Sequence, residues 1–280
     1  MPKPPPAARP RTLDEAMQGA LAAVQAGRFD EAERLAGYVL KSNRGHLPAA
    51  KLAGLAMLRQ GRAAEALAPL KRAARNADPE AELLLSRALF AVGRDDEAEA
   101  ALRDATSRRP ALALAFLELG DHLGQAGRLS EAAEVFETGL ALDAGADGLA
   151  VGLGYIRLQQ GQRDAARALF ARIHAAAPAR QDAIVGLARV SALEGDHARA
   201  AGLYRQALAL RPDDAVAGMA LARSLFELGD RRGGEAQLRA ATRSGSQGLW
   251  EAINALAATP HGRAFLTPSA AVAFLRGQKA

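Results

Sequence analysis

Seven glycines, Gly27, Gly61, Gly93, Gly127, Gly161, Gly195 and Gly229, recur along the chain at intervals of 34 residues, with one interval of 32. The segments that begin at them read GRFDEA, GRAAEA, GRDDEA, GRLSEA, GQRDAA, GDHARA and GDRRGG. A fixed period of this size marks a repeat architecture, in which each unit cannot bury its apolar face alone and stacks on its neighbours. That constraint overrides the one or two globular domains that 280 residues would otherwise suggest. A stacked array spends most of its length building surface, which directs the functional reading toward binding.

Two helical patterns lie between consecutive glycines. From Ala113 to Gln125, Phe116, Leu119, Gly120 and Leu123 form an i, i+3, i+4, i+7 stripe. After Gly127 a second pattern places Ala132, Val135, Phe136, Gly139 and Leu140 on one face. Gly127 suits the left-handed conformation that ends a helix, and Ser130 and Asp164 are expected to cap the helices that follow. Pro110, Pro178 and Pro212 punctuate the ends of units, each ahead of a new helix. The chain is 49% hydrophobic but only 4% aromatic, with alanine and leucine supplying most of the apolar surface. Such a composition suits close-packed helices and not a β-sandwich.

With the turn glycine set at position 15, the pattern resembles the tetratricopeptide repeat, a 34-residue unit with small residues at positions 8, 20 and 27 and proline near 32. Position 8 reads Ala20, Gly54, Ser86, Gly120, Gly154, Ala188 and Ala222. Position 20 reads Ala32, Ala66, Ala98, Ala132, Ala166, Ala200 and Gly234, and position 24 reads Ala36, Leu70, Leu102, Phe136, Phe170, Tyr204 and Leu238. The units fall at 13–46, 47–78, 79–112, 113–146, 147–180, 181–214 and 215–248. The resemblance implies an all-α, right-handed superhelical solenoid of antiparallel helix pairs.

The sequence departs from the family pattern in several places. The aromatic residue of position 4 is present only as Phe116, the others being Ala16, Ala50, Glu82, Ala150, Ile184 and Gly218. The second unit is two residues short, which should disturb its stacking on the third. Pro69 should kink the second helix of that unit or remove a hydrogen bond from it. Gly233 and Gly234 should each weaken the last unit's second helix by about 1 kcal/mol relative to alanine. Residues 249–280 read as capping helices, from Leu249 to Ala258 with Trp250, Ile253 and Leu256, and from Ser269 to Leu275. Residues 1–12, rich in proline, read as a disordered tail.

Composition excludes some chemistry. The chain has no cysteine, hence no disulfide, cysteine-ligated zinc or cysteine nucleophile. MPKPPPAARPRT has no apolar core and is not an ordinary secretory signal. No run reaches the roughly 18–20 apolar residues of a membrane helix, so the expectation is a cytoplasmic chain with no membrane span. Net charge is +5, but the charges are interspersed outside the short basic tail, which disfavours nucleic acid. Alanine and arginine enrichment suggests a bacterial source with a GC-rich genome.

In the family the first helix of each pair lines a concave groove, with positions 2, 5, 9 and 12 pointing into it. Carried over, position 5 gives Met17, Lys51, Leu83, Leu117, Val151, Val185 and Met219. Position 9 gives Leu21, Leu55, Arg87, Asp121, Tyr155, Arg189 and Arg223, and position 12 adds Leu58, Phe90, Leu158 and Phe226. The groove expected from these residues is an apolar floor studded with three arginines, a lysine, an aspartate and a tyrosine. Arginine presents five fixed donors suited to carboxylate or phosphate, which favours an acidic peptide. The bland alternative is that Arg87 and Asp121 pair with each other. The asparagine-bearing carboxylate clamp of chaperone-binding relatives is absent.

Other motifs fail as chemistry. Glu118 and His122 stand four apart beside Asp121, but no third metal ligand is evident and an exposed pair explains them. His46, His174, His197 and His261 read as surface. Gly152 and Gly154 in VGLGYIRLQQG have dinucleotide-like spacing, yet both fall inside a helix where packing accounts for them. There is no GxSxG elbow. The reading is a non-catalytic, cofactor-free adaptor or assembly scaffold that binds a protein or peptide. The alternative is an accessory subunit presenting substrate to a separately encoded transferase or oxygenase, and self-association through groove or tail is a further option.

Overall fold

The computed structural model describes residues 12–242, 253–254 and 268–276, and all their regular structure is helical. Fourteen of the helices come in pairs: α1 (Leu13–Gln25) with α2 (Phe29–Ser42), α3 (Leu47–Arg59) with α4 (Ala63–Ala73), α5 (Pro79–Ala91) with α6 (Asp95–Ser107), and α7 (Ala113–Gln125) with α8 (Leu129–Leu142). Then come α9 (Asp147–Gln159) with α10 (Arg163–Ala176), α11 (Gln181–Leu193) with α12 (His197–Leu210), and α13 (Ala215–Glu227) with α14 (Arg231–Ala241). A further helix, α15, spans Pro268–Leu275. The chain divides into two compact units, Met1–Ala144 and Gly145–Ala280.

Each pair is an α-hairpin because its turn glycine bends the chain with positive φ, +76° at Gly127 and the same region at the other six. Only glycine enters this region without steric cost. Within each unit every helix packs on the next. First helices of successive pairs also touch: α1 with α3, α3 with α5, α9 with α11, and α11 with α13. No two second helices among the described residues make comparable contact. The first-helix face is therefore the closer-packed side of each unit.

The core follows a size rule. Position 20 is alanine with 0% exposure in six pairs, letting the two axes approach. The side chain at position 24 then lies on position 8 of the same pair. Where it is phenylalanine, position 8 is glycine: a Cβ on Gly120 would stand 2.5 Å from the Phe136 ring, and one on Gly154 would stand 2.6 Å from Phe170. Gly234 likewise makes room for Phe226, 2.5 Å from where its Cβ would be. This glycine thus serves packing, and α14 runs through it unbroken.

Pro69 lies inside α4, which continues to Ala73 before a 3-10 turn at Ala74–Asn76. Ala77, with φ +54°, closes that turn, and Asp78 caps α5. The residues missing from this pair come out of its connecting turn, which is 77–78 here and 43–46 after α2. Ser130 and Asp164 lie inside their helices and cap nothing; the side-chain caps are Thr12, His46, Asp78, Asp196, Asp214 and Asp230. His46 is therefore structural, its Nδ1 accepting from Ala49 N–H at 3.1 Å. His174 and His197 are not plain surface groups either, since the Nδ1 of each is sealed from solvent. Glu82, in place of an aromatic at position 4, is 3% exposed, and Arg108 donates to it from Nε at 3.0 Å and Nη2 at 2.7 Å.

At the C-terminal end, Leu275 joins Ala222, Phe226 and Leu238, with Met219, Ile253 and Phe274 packed against them. Arg239 donates to the Phe274 carbonyl at 3.2 Å, its guanidinium 4.1 Å above the Phe274 ring. Of the helix expected at Leu249–Ala258, only residues 253–254 are described. The rest, like the tail at 1–11, lies outside the described residues.

Candidate first-helix binding faces

In the first unit, Lys51 and Leu55 lie on α3, Leu83, Arg87 and Phe90 on the neighbouring α5, and Leu117 and Asp121 on α7, which α5 reaches through Arg87. Their charges are largely committed. Lys51 meets Asp78 at 2.7 Å and Glu80 at 2.9 Å. Its partial burial would lower its pKa, but the two carboxylates outweigh that and hold the ammonium above 10.5. Arg87 does not pair with Asp121. Its Nε donates to Glu118 at 2.8 Å and its Nη2 reaches the same oxygen. Glu118 stands one turn nearer the start of α7, within the guanidinium's reach.

Asp121 is exposed and has no ion pair among the described residues. The surrounding helices thin its hydration, and the Glu118 carboxylate adds like charge, so its pKa lies above 3.8. Neither Glu118 nor His122 is disposed as a metal ligand: Glu118 is taken by Arg87, while His122 Nε2 lies 3.4 Å from Glu99 and its ring 4.7 Å from that of Phe90. Leu83, 4% exposed, belongs to the core beneath this face, whereas Leu55, Phe90 and Leu117 are half-buried.

The second unit has the opposite electrostatic character. Arg189 on α11 and Arg223 on α13 are exposed, and neither has an acidic partner among the described residues. The Arg189 guanidinium lies 5.9 Å from the centroid of Tyr155 on α9. Tyr155 in turn meets Phe170 edge-on at 5.2 Å. Burial pushes the Tyr155 hydroxyl up to about 12 against the opposing pull of Arg189. Its hydroxyl makes one long contact, 3.5 Å, to the Asp182 carbonyl.

Val185 and Met219 are half-buried beside these groups. Val151, at 8% exposure, is floor and not contact surface. Phe226 is removed from the face altogether: it is 0% exposed, packed against Gly234 and Leu238 of α14 with Leu275 beside it.

Two groups escaped the sequence reading. Tyr204 on α12 entered the sequence reading only as a member of position 24, yet its hydroxyl lies in the electrostatic reach of Arg189 and Arg223. The second is a set of arginines that follow the turn glycines in the first unit. Arg62 Nη1 donates to Glu33 of the preceding pair at 2.6 Å and Nη2 to Glu65 of its own at 2.5 Å. Arg128 does the same with Glu99 at 2.7 Å and Glu131 at 2.6 Å. The arginine–glutamate spacing GRxxE was visible in the sequence; the reach to the preceding pair was not.

Sequence models described as tetratricopeptide repeat match residues 83–147, 125–189 and 191–258. A model for anaphase-promoting complex, cyclosome, subunit 3 matches residues 25–105. No curated protein matches the chain. Among solved structures, a tetratricopeptide repeat protein from Parabacteroides merdae superposes with a TM-score of 0.69 at 15% identity, over 87% of this chain and 98% of that one. PilW, a type IV pilus biogenesis factor, gives 0.60 at 23% identity over 69% and 92%. YrrB, described as having an unusual peptide-binding site, gives 0.52 at 16% identity over 65% and 95%. At these identities the likeness is one of fold.

Proposed function

The chain belongs to the tetratricopeptide repeat family, and on that footing we propose that it is a non-catalytic adaptor or assembly scaffold that binds an acidic peptide segment along the first-helix face of its second unit. Proteins of this family generally mediate contacts with other proteins. One observation carries the choice of face and partner: Arg189 and Arg223 stand exposed with no acidic partner among the described residues, whereas Lys51 and Arg87 of the first unit are already neutralised within the fold. A bound carboxylate would complete the charge pairing of the second unit and would have to displace an existing pair in the first.

Val185 and Met219 offer apolar contact, and the guanidiniums set register through their fixed donor forks. Helices held by close packing present these groups with little left to order, which lowers the entropic cost of fixing an extended partner.

Random dodecapeptides displayed on phage and selected against the full chain test this reading. Enrichment of acidic sequences is expected, with loss of binding by Arg189→Glu/Arg223→Glu and retention by Arg87→Gln. Neutral winners, or acidic winners that the double variant still holds, would sink it.

A further inference from the structure

Tyr204 is 4% exposed, and its hydroxyl has no hydrogen-bond partner among the described residues. Buried phenols usually find one, so an unpartnered hydroxyl calls for a reason. The same position holds Phe136 and Phe170 in the two preceding pairs, both 0% exposed, so the core does not need the oxygen. Unlike His174 Nδ1 and His197 Nδ1, the hydroxyl is not sealed from solvent.

Its surroundings match those of the equivalent ring one pair earlier. Phe170 is wedged between Gly154 of its own first helix and Gly186 of the next. Tyr204 sits in the corresponding wedge, in one cluster with Ala188 of α11 and with Ala217 and Leu221 of α13. The ring thus lies between α11 and α13, the two helices that carry Arg189 and Arg223. Arg189 follows Ala188 directly, and Arg223 follows Ala222 at the same place on α13.

We propose that the Tyr204 hydroxyl, Arg189 and Arg223 form a receptor for one side-chain carboxylate of the acidic segment, with the Tyr155 ring, 5.9 Å away, as the cation–π partner of Arg189. The proposal rests on the peptide-binding reading above and narrows it to a single chemical contact. A carboxylate has two oxygens, enough to accept from both guanidiniums and from the phenol at once. Both arginines act on the hydroxyl electrostatically, while burial keeps it protonated and hence a donor, above its ordinary value of 10. The oxygen that the core does not use is then the one that reads the ligand.

The test uses the full chain labelled with 3-fluorotyrosine, whose three 19F resonances are assigned with single Tyr→Phe variants. The probes are acetyl-Ala-Glu-Ala-amide, its glutamine counterpart and inorganic phosphate, titrated at constant ionic strength. The glutamate tripeptide should shift the Tyr204 resonance saturably and the glutamine tripeptide should not. Arg189→Gln/Arg223→Gln should abolish the shift. For an acidic peptide obtained by phage selection, Tyr204→Phe should weaken binding by about tenfold, as for loss of a hydrogen bond to a charged group. The same substitution should leave the melting temperature unchanged or raised, which separates a ligand-reading role from a folding one.

A Tyr204 resonance that stays still, or moves alike with both tripeptides, overturns the receptor. Phosphate saturating the site at lower concentration than the glutamate tripeptide overturns the carboxylate assignment. Selected acidic peptides that need both arginines but ignore Tyr204→Phe overturn the receptor and leave the peptide-binding reading standing. A tripeptide shift without any selectable peptide does the reverse.

Discussion

Phe170 is held between two helices that approach it only because neither carries a Cβ at the point of contact. A methyl on Gly186 would stand 2.5 Å from the ring, and the opposite side is closed by Gly154 at 2.6 Å, so the ring has nowhere to go. Gly186→Ala gains about 1 kcal/mol of helix propensity but overpacks a filled core at about 1–3 kcal/mol. Net destabilisation is expected in urea melts. Gly202, in α12, is the contrast: no atom lies within 4 Å of its added Cβ. There Gly202→Ala should stabilise by about 0.5–1 kcal/mol. Sequence reading could tell that both glycines were helical; which of them is obligatory depends on a ring sixteen residues away in one case and on open solvent in the other.

The residue after each turn glycine does different work in the two units, and the difference shows at the level of whole helices. In the first unit it is arginine: Arg28, Arg62, Arg94 and Arg128. These leave the helix N-terminus without a side-chain cap but bind the glutamate three residues on, and two of them also clamp the preceding pair. In the second unit Asp196 and Asp230 occupy the place and cap instead, Asp196 accepting from Arg199 N–H at 3.0 Å and Asp230 from Gly233 N–H at 2.9 Å. Asp196→Ala should therefore cost about 1 kcal/mol. Ser130→Ala, inside the first turn of α8, should change stability by less than about 0.5 kcal/mol. Equal losses in thermal melts would mean the caps are misassigned. A serine near a helix start looks the same in sequence whether it stands at the cap or two residues beyond it, and only the backbone trace separates them.

Among the described residues, the carboxylates held below their ordinary range all lie in the first unit: Glu65 and Glu97 by Arg62 and Arg94, Glu99 by Arg128 and Arg103 against its own burial, and Glu131, at about 2, chiefly by Arg128. A depressed folded-state pKa contributes stability that is present above the unfolded value of 4.5 and lost as pH falls through the folded value. Acid should accordingly loosen residues 13–144 first. Hydrogen exchange read by mass spectrometry between pH 4.5 and about 2 is expected to show protection there falling ahead of that in residues 145–242. Simultaneous loss, or the reverse order, would contradict it. The helical fold, the paired-helix period and the small residues of the pair interface were legible in the sequence alone, because each is a local regularity repeated in register. Phe226 was assigned to the groove by its repeat position, but it packs against Gly234 and Leu238 of α14 with Leu275 beside it, a contact that no repeat position records. Which charges are spent and which are free was decided only in three dimensions: Arg87 pairs with Glu118, while Arg189 and Arg223 have no acidic partner among the described residues. Ion pairing between neighbouring helices depends on reach and approach across about thirty residues of sequence, and no periodicity records that.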